Sequence, residues 1–223
     1  MGFAAEQLAR VRVEWQDMLD HPFLLRTRDG TIPFDNFATW MRQDYLFVEA
    51  AIPFISVLLA KAPEKHWAAH SGVIGMLQKE LDLFRERAAA TGVDFSDLAP
   101  SFVTHAYIQF LLATAYRESY PCGYTVLYAA EKAYNHSWQV VLNGIDRASP
   151  WFPFVENWAG DAFTGYVASL EKELDELAAQ AGAAERARMA ELLELTMRYE
   201  IAFWEMAWTA EGWSRATRSQ LVS

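Results

Sequence analysis

Apolar residues recur along this chain at intervals of three, four and seven, the spacing of one face of an α-helix, and almost nowhere alternate as a strand would require. The spacing predicts helices over 3–20, 34–48, 51–62, 66–91, 101–118, 122–144, 151–180 and 183–213. Breakers agree with those limits. Arg28-Asp29-Gly30-Thr31-Ile32-Pro33 reads as a turn, with His21-Pro22 in a loop before it. Thr91-Gly92, Ala99-Pro100, Tyr120-Pro121, Ser149-Pro150 and Ala181-Gly182 read as helix ends. No low-complexity linker and no fixed-period repeat interrupts the pattern. It predicts an all-α helical bundle, one domain over 1–223.

Three acids break that pattern from within. Residues three, four and seven positions from Asp44 are Phe37, Trp40, Met41, Phe47, Val48 and Ala51. Glu131 has Tyr124, Leu127, Tyr128, Tyr134, Asn135 and Trp138 in those places, and Glu200 has Leu193, Thr196, Met197, Phe203, Trp204 and Ala207. A carboxylate among such side chains is costly unless it is protonated, hydrogen-bonded or paired. Glu205 is the control: it shares a polar face with Glu191, Glu194 and Arg198 and reads as surface charge. Asp35, Arg42 and Glu49 likewise lie on the opposite side from Asp44.

Composition narrows what three such acids are for. A formal charge of −10 argues against nucleic acid, which needs clustered Lys and Arg, and gives no attraction to an anionic membrane surface. The single cysteine, Cys122, rules out an intramolecular disulfide framework and a cysteine-based zinc site. Met1 to Asp20 is amphipathic, with Glu6, Glu14 and Asp17, unlike a signal peptide, and no apolar run approaches the ~20 residues of a membrane span. The expectation is a cytoplasmic protein. Leu170 to Arg188 is charge-rich and reads as a solvated helix end and loop.

Acids converging inside a bundle raise the prospect of a two-metal site, which calls for Glu-x-x-His so that both ligands project inward. That motif is absent, and His21, His66, His70, His105 and His136 offer no inward pair, His66 and His70 sitting in an early helix turn beside Lys65. The expectation is no metal and no cofactor. Acid/base work on a neutral or cationic organic ligand fits better, with aromatics stacking on it and Tyr107 and Tyr134 as polar contacts. Cys122 follows Pro121 at a helix start, where backbone amides favour the thiolate; buried filler is the other reading of it.

These residues carry a resemblance. His21-Pro22-Phe23, Gly30-Thr31, Phe37 and Gln43-Asp44-Tyr45 resemble the N-terminal motif of the TenA/thiaminase II family. Tyr199-Glu200-Ile201-Ala202-Phe203-Trp204-Glu205-Met206-Ala207 resembles its C-terminal signature with the essential glutamate. Tyr107-Ile108-Gln109-Phe110-Leu111-Leu112-Ala113-Thr114-Ala115 is similar to the helix with a substrate-contacting tyrosine. Glu131-Lys132-Ala133-Tyr134-Asn135-His136-Ser137-Trp138 resembles the branch lacking the usual catalytic cysteine, although Cys122 falls, counting back without gaps, where the other branch has its nucleophile. Gly123-Tyr124-Thr125-Val126 departs from that other branch's pattern.

The resemblance, from about His21 to Trp213, implies a haem-oxygenase-like fold and hydrolysis at the exocyclic methylene of an aminopyrimidine, giving hydroxymethylpyrimidine for thiamin salvage. It implies Glu200 as principal acid/base, Asp44 on the pyrimidine amino group or the nucleophile, Tyr107 as positioning group, and Phe47 and Phe203 as walls. Cys122 or Glu131 would complete the chemistry, beside Tyr134. It also implies a homo-oligomer, dimer or tetramer; Trp151-Phe152-Pro153-Phe154 reads either as a contact in it or as core. A metal-dependent oxygenase on the same fold, and a non-catalytic pyrimidine-binding regulator without a basic recognition helix, are the alternatives.

Overall fold

The computed structural model describes residues 2–211 and 213, and in these it contains ten helices and no strand. They are α1 (Phe3–Arg10), α2 (Arg12–Leu19), α3 (Pro22–Arg28), α4 (Phe34–Lys61), α5 (Glu64–Thr91), α6 (Phe102–Arg117), α7 (Tyr120–Leu142), α8 (Phe152–Ala159), α9 (Asp161–Gln180) and α10 (Ala183–Thr209). Two central helices organise the rest. α4 packs on α5, α6 and α10, while α7 packs on α10, α8, α9 and α3. A single apolar cluster draws on all ten helices, and Trp40, Trp138, Trp204, Phe37 and Phe154 lie in it with almost no exposure. Burying a side chain such as Phe37 contributes roughly 1.5–3 kcal/mol.

Several helix limits differ from the spacing-based expectation, each for a local reason. The segment 3–20 is two helices, divided at Val11. The expected loop around His21-Pro22 begins α3: Pro22 fits the first turn, and His21 Nδ1 accepts the Phe23 N–H at 3.2 Å. The helices expected over 34–48 and 51–62 are one, continuing through Pro53. Proline removes a hydrogen bond to the carbonyl four residues back, here that of Glu49. Both Pro53 and Glu49 are exposed, so water takes that carbonyl, and the buried face of α4 holds the helix together. The segment 151–180 is divided at Gly160, and α10 ends at Thr209, before the expected limit at Trp213.

Packing also revises three surface readings. The 170–188 stretch is anchored: Glu171 accepts from Lys132 and Tyr128, Glu173 accepts from Tyr124, and Asp175 accepts the Ala4 N–H. Trp151 and Phe154 are core residues, Trp151 stacking on Phe37 at 4.1 Å, which removes them as an interface contact. α4 is long and apolar enough to match a membrane span by length and composition, which the count of apolar runs did not anticipate. Its packing against three neighbouring helices accounts for that apolarity.

Candidate active site

Asp44 faces inward from α4 because every neighbour on its stripe is apolar, and it is 1% exposed. Its Oδ1 accepts from the Tyr134 hydroxyl of α7 at 2.5 Å, and Trp40 donates its indole N–H to the same hydroxyl at 3.2 Å. Its Oδ2 is buried without a partner. Glu200, also 1% exposed, repeats the arrangement from α10. Its Oε1 accepts from the Tyr107 hydroxyl of α6 at 2.5 Å, and its Oε2 has no partner. Tyr107 is clamped between Phe47 at 4.7 Å and Tyr199 at 4.9 Å.

Both orphan oxygens belong to side chains lining one cavity, which holds about 580 Å³ of empty space counted to its mouth. Glu131 of α7 and Glu80 of α5 line it as well, together with Phe47, Tyr134 and Trp158. Glu131 is half-buried and accepts from the Tyr166 hydroxyl of α9 at 3.3 Å. Glu80 accepts from Asn157 of α8 at 3.1 Å. Among the described residues four acids line the cavity and no Lys, Arg or His does. An orphaned buried oxygen costs about 1–3 kcal/mol, more when charged, so two in one cavity mark places where a ligand supplies the missing donors.

Burial sets the protonation of these acids. Loss of solvent is the largest influence on each, pushing Asp44 well above the usual carboxylate range, Glu80 to about 7, and Glu131 and Glu200 to about 8. Neighbouring carboxylates push the same way: Glu80 acts on Asp44 and Glu131, and Asp44 and Glu131 act on Glu200. Near neutral pH the empty cavity therefore holds protons ready for transfer. Ligand N–H groups or a positive charge favour the ionised forms.

Of the residues singled out from the sequence, Asp44, Glu131, Glu200, Phe47 and Tyr134 meet at the cavity. Tyr107 stands behind Glu200, and Phe203 stands behind Phe47 at 5.8 Å. Cys122 does not join them. Nine residues from Glu131, it faces the opposite side of α7 and lies ~13 Å away along the axis. Burial, with Ser119 opposing and Glu118 adding, raises its thiol pKa, against the depression expected of a helix start. His66 and His70 do lie in the first turns of α5, and both are buried.

Glu80, Asn157 and Tyr166 were missed. Glu80 shares its helical face with Val73, Met76, Leu77, Leu83 and Phe84, with Arg87 the one charged residue among those positions. Lys79, Asp82, Arg85 and Glu86 lie on the other sides of that helix. Among the described residues, no three His, Cys, Asp or Glu side chains are grouped so as to hold a metal ion.

The model of the TENA/THI-4/PQQC family matches residues 8–210. The chain belongs to that family. It is 29% identical over 223 residues to an aminopyrimidine aminohydrolase of Halalkalibacterium halodurans, covering 96% of this chain and 99% of that one. It is 28% identical over 214 residues to a probable bifunctional TENA-E protein of Glycine max, covering 93% of each. A TenA homologue from Pyrococcus furiosus superposes with a TM-score of 0.89 at 32% identity, covering 92% of this chain and 99% of that one. A haem-oxygenase-like fold from Shewanella denitrificans superposes with a TM-score of 0.75 at 15% identity, over 92% of each. The fold expected from the family resemblance is therefore the one found.

Proposed function

We propose that this family member is an aminopyrimidine aminohydrolase of the thiaminase II kind, cleaving the bond between a pyrimidine's exocyclic methylene and an amine to release hydroxymethylpyrimidine for thiamin salvage. The observation that carries the reading is the pair of orphan carboxylate oxygens, Asp44 Oδ2 and Glu200 Oε2, on one cavity whose charged lining, among the described residues, is acidic. An aminopyrimidine offers what those oxygens lack: a flat ring with amino donors and basic ring nitrogens. The names of the Halalkalibacterium and Bacillus subtilis relatives, both aminopyrimidine aminohydrolases, support the same chemistry.

In this reading Glu200, protonated near neutral pH, gives its proton to a ring nitrogen, and Tyr107 fixes its other oxygen. Asp44, oriented by Tyr134, accepts from the ring's amino group. A protonated ring draws electrons from the methylene carbon, which becomes open to a nucleophile as the amine departs. Phe47, backed by Phe203, walls the ring. Glu131 faces the reacting arm, and the proposed nucleophile is water, since Cys122 is remote from the cavity.

The test is incubation with 4-amino-5-aminomethyl-2-methylpyrimidine and with thiamin, scored for released hydroxymethylpyrimidine. Release by the wild-type chain and its loss in a folded Glu200→Gln variant are expected. Tight ligand binding with no release from any pyrimidine would replace the hydrolase reading with that of a binding protein.

A further inference from the structure

The cavity holds an acid that the proposed chemistry above does not use. Glu80 reaches it from α5, the helix on the far side of α4 from α6 and α10, and is 8% exposed. It opens onto the same space as Glu131, and the two differ in how well they are supplied with donors. Asn157 donates to Glu80 at 3.1 Å, whereas the one bond to Glu131, from Tyr166, is longer at 3.3 Å. Donors stabilise a carboxylate over a carboxylic acid. When two acids share a space with no cation, the better-supplied one takes the charge and the other keeps the proton.

We infer, on the basis of the hydrolase reading, that Glu80 is a positioning residue: it carries the negative charge of an acid pair and so keeps a proton on Glu131, where the departing amine needs it. The step balances without an oxidant or a co-reactant. The methylene C–N bond breaks, its electron pair stays on nitrogen, and nitrogen takes the proton of the Glu131 carboxyl. Water bonds to the methylene carbon and returns its proton to the Glu131 carboxylate. Glu80 touches no reacting atom.

The groups facing this pair come from every packed element. They are Asp44 of α4, Tyr134 of α7, Tyr166 of α9 and Glu200 of α10, with Tyr107 of α6 acting through Glu200; α8 contributes only the non-titrating Asn157 and Trp158. None of these supplies a positive charge; on α5 itself Arg87 lies two turns beyond Glu80 on the same stripe. Besides its burial, the Glu80 charge is the largest influence raising the Glu131 pKa, to about 8.

The experiment compares kcat against pH for the wild type, Glu80→Gln and Glu80→Asp, with 4-amino-5-aminomethyl-2-methylpyrimidine as substrate. In Glu80→Gln the alkaline limb should move down by about one pH unit, the scale of a like-charge effect, so that kcat falls about fivefold at pH 8 and by less than about twofold at pH 6. Glu80→Asp, which restores the charge, should return the limb toward the wild-type position. A merely structural Glu80 would lower kcat equally at all pH values with the limb unmoved, and that result overturns the inference. If the wild type releases no product, the hydrolase reading falls by itself. Carbon-13 titration of the Glu131 carboxyl then decides the pair: a lower midpoint in Glu80→Gln supports it, and an unchanged midpoint overturns it.

Discussion

Two buried polar regions of this molecule are built from similar residues and do opposite things. At the edge formed by α5, α7 and α9, the Tyr120 hydroxyl lies 2.8 Å from His66 Nδ1 and 2.7 Å from His70 Nε2. His66 Nε2 lies 3.7 Å from Glu173, which accepts from Tyr124 at 2.7 Å. With the His66 Nε2 proton directed at Glu173, Tyr120 donates to His66 and accepts from His70. Donors and acceptors there balance. In the cavity, four acids draw on three phenols and Asn157, and two buried oxygens are left over. A closed network holds helices in place. An unbalanced one waits for a molecule that completes it.

The largest expected effect falls on the unbalanced side. Glu200→Gln should lower kcat/KM on an aminopyrimidine by ~10³-fold, and Asp44→Asn by ~10²-fold, with both variants folded by circular dichroism. Activity within threefold of the wild type in both would break the comparison, because the orphan oxygens would then mark nothing.

Stability against pH separates the regions by sign. Glu200 is raised to about 8 when folded and titrates near 4.5 when unfolded, so the native state holds the extra proton between those values. Stability therefore falls as pH rises through that window, and the loss is complete above it. Denaturant melts should show Glu200→Gln gaining on the wild type from pH 5 to 8, by on the order of a few kcal/mol, then levelling. His70 runs the other way. Burial holds it neutral down to about 4 against 6.5 unfolded, so its region loses stability as pH falls from 6.5 to 4.

Tyr120→Phe should cost about 1–3 kcal/mol by leaving two buried imidazoles short of a partner, while kcat changes by less than about threefold. A large kcat loss with unchanged stability would move this edge into the active site. The smallest effect is expected of Cys122→Ser: turnover within about twofold of the wild type, since the thiol neither lines the cavity nor carries a lowered pKa. Abolished turnover in the folded serine variant would restore the thiol as nucleophile.

The helical class and the inward direction of Asp44 and Glu200 were legible because each follows from periodicity within one helix. Glu131 was legible for the same reason, although Tyr166, its hydrogen-bond partner, lies 35 residues away. Glu80 went unnoticed because Arg87 interrupts its apolar stripe and charged residues crowd the other sides of α5. The continuity of α4 through Pro53 was not legible, because proline's local cost is offset only by the neighbours that bury the opposite face. The anchoring of Glu173 by Tyr124 was hidden for a related reason: a charge-rich stretch reads as solvated until a second helix supplies its partners.

By itself the sequence determined the helices, their apolar stripes and three acids that no stripe could comfortably hold, since a helix face repeats at a fixed interval along one chain. Only the tertiary structure decided which oxygens are left without donors, that a fourth acid joins them, and that Cys122 lies on the other side of α7. Those outcomes depend on distances between helices, and interhelical distance has no period in the chain that could be read off in advance.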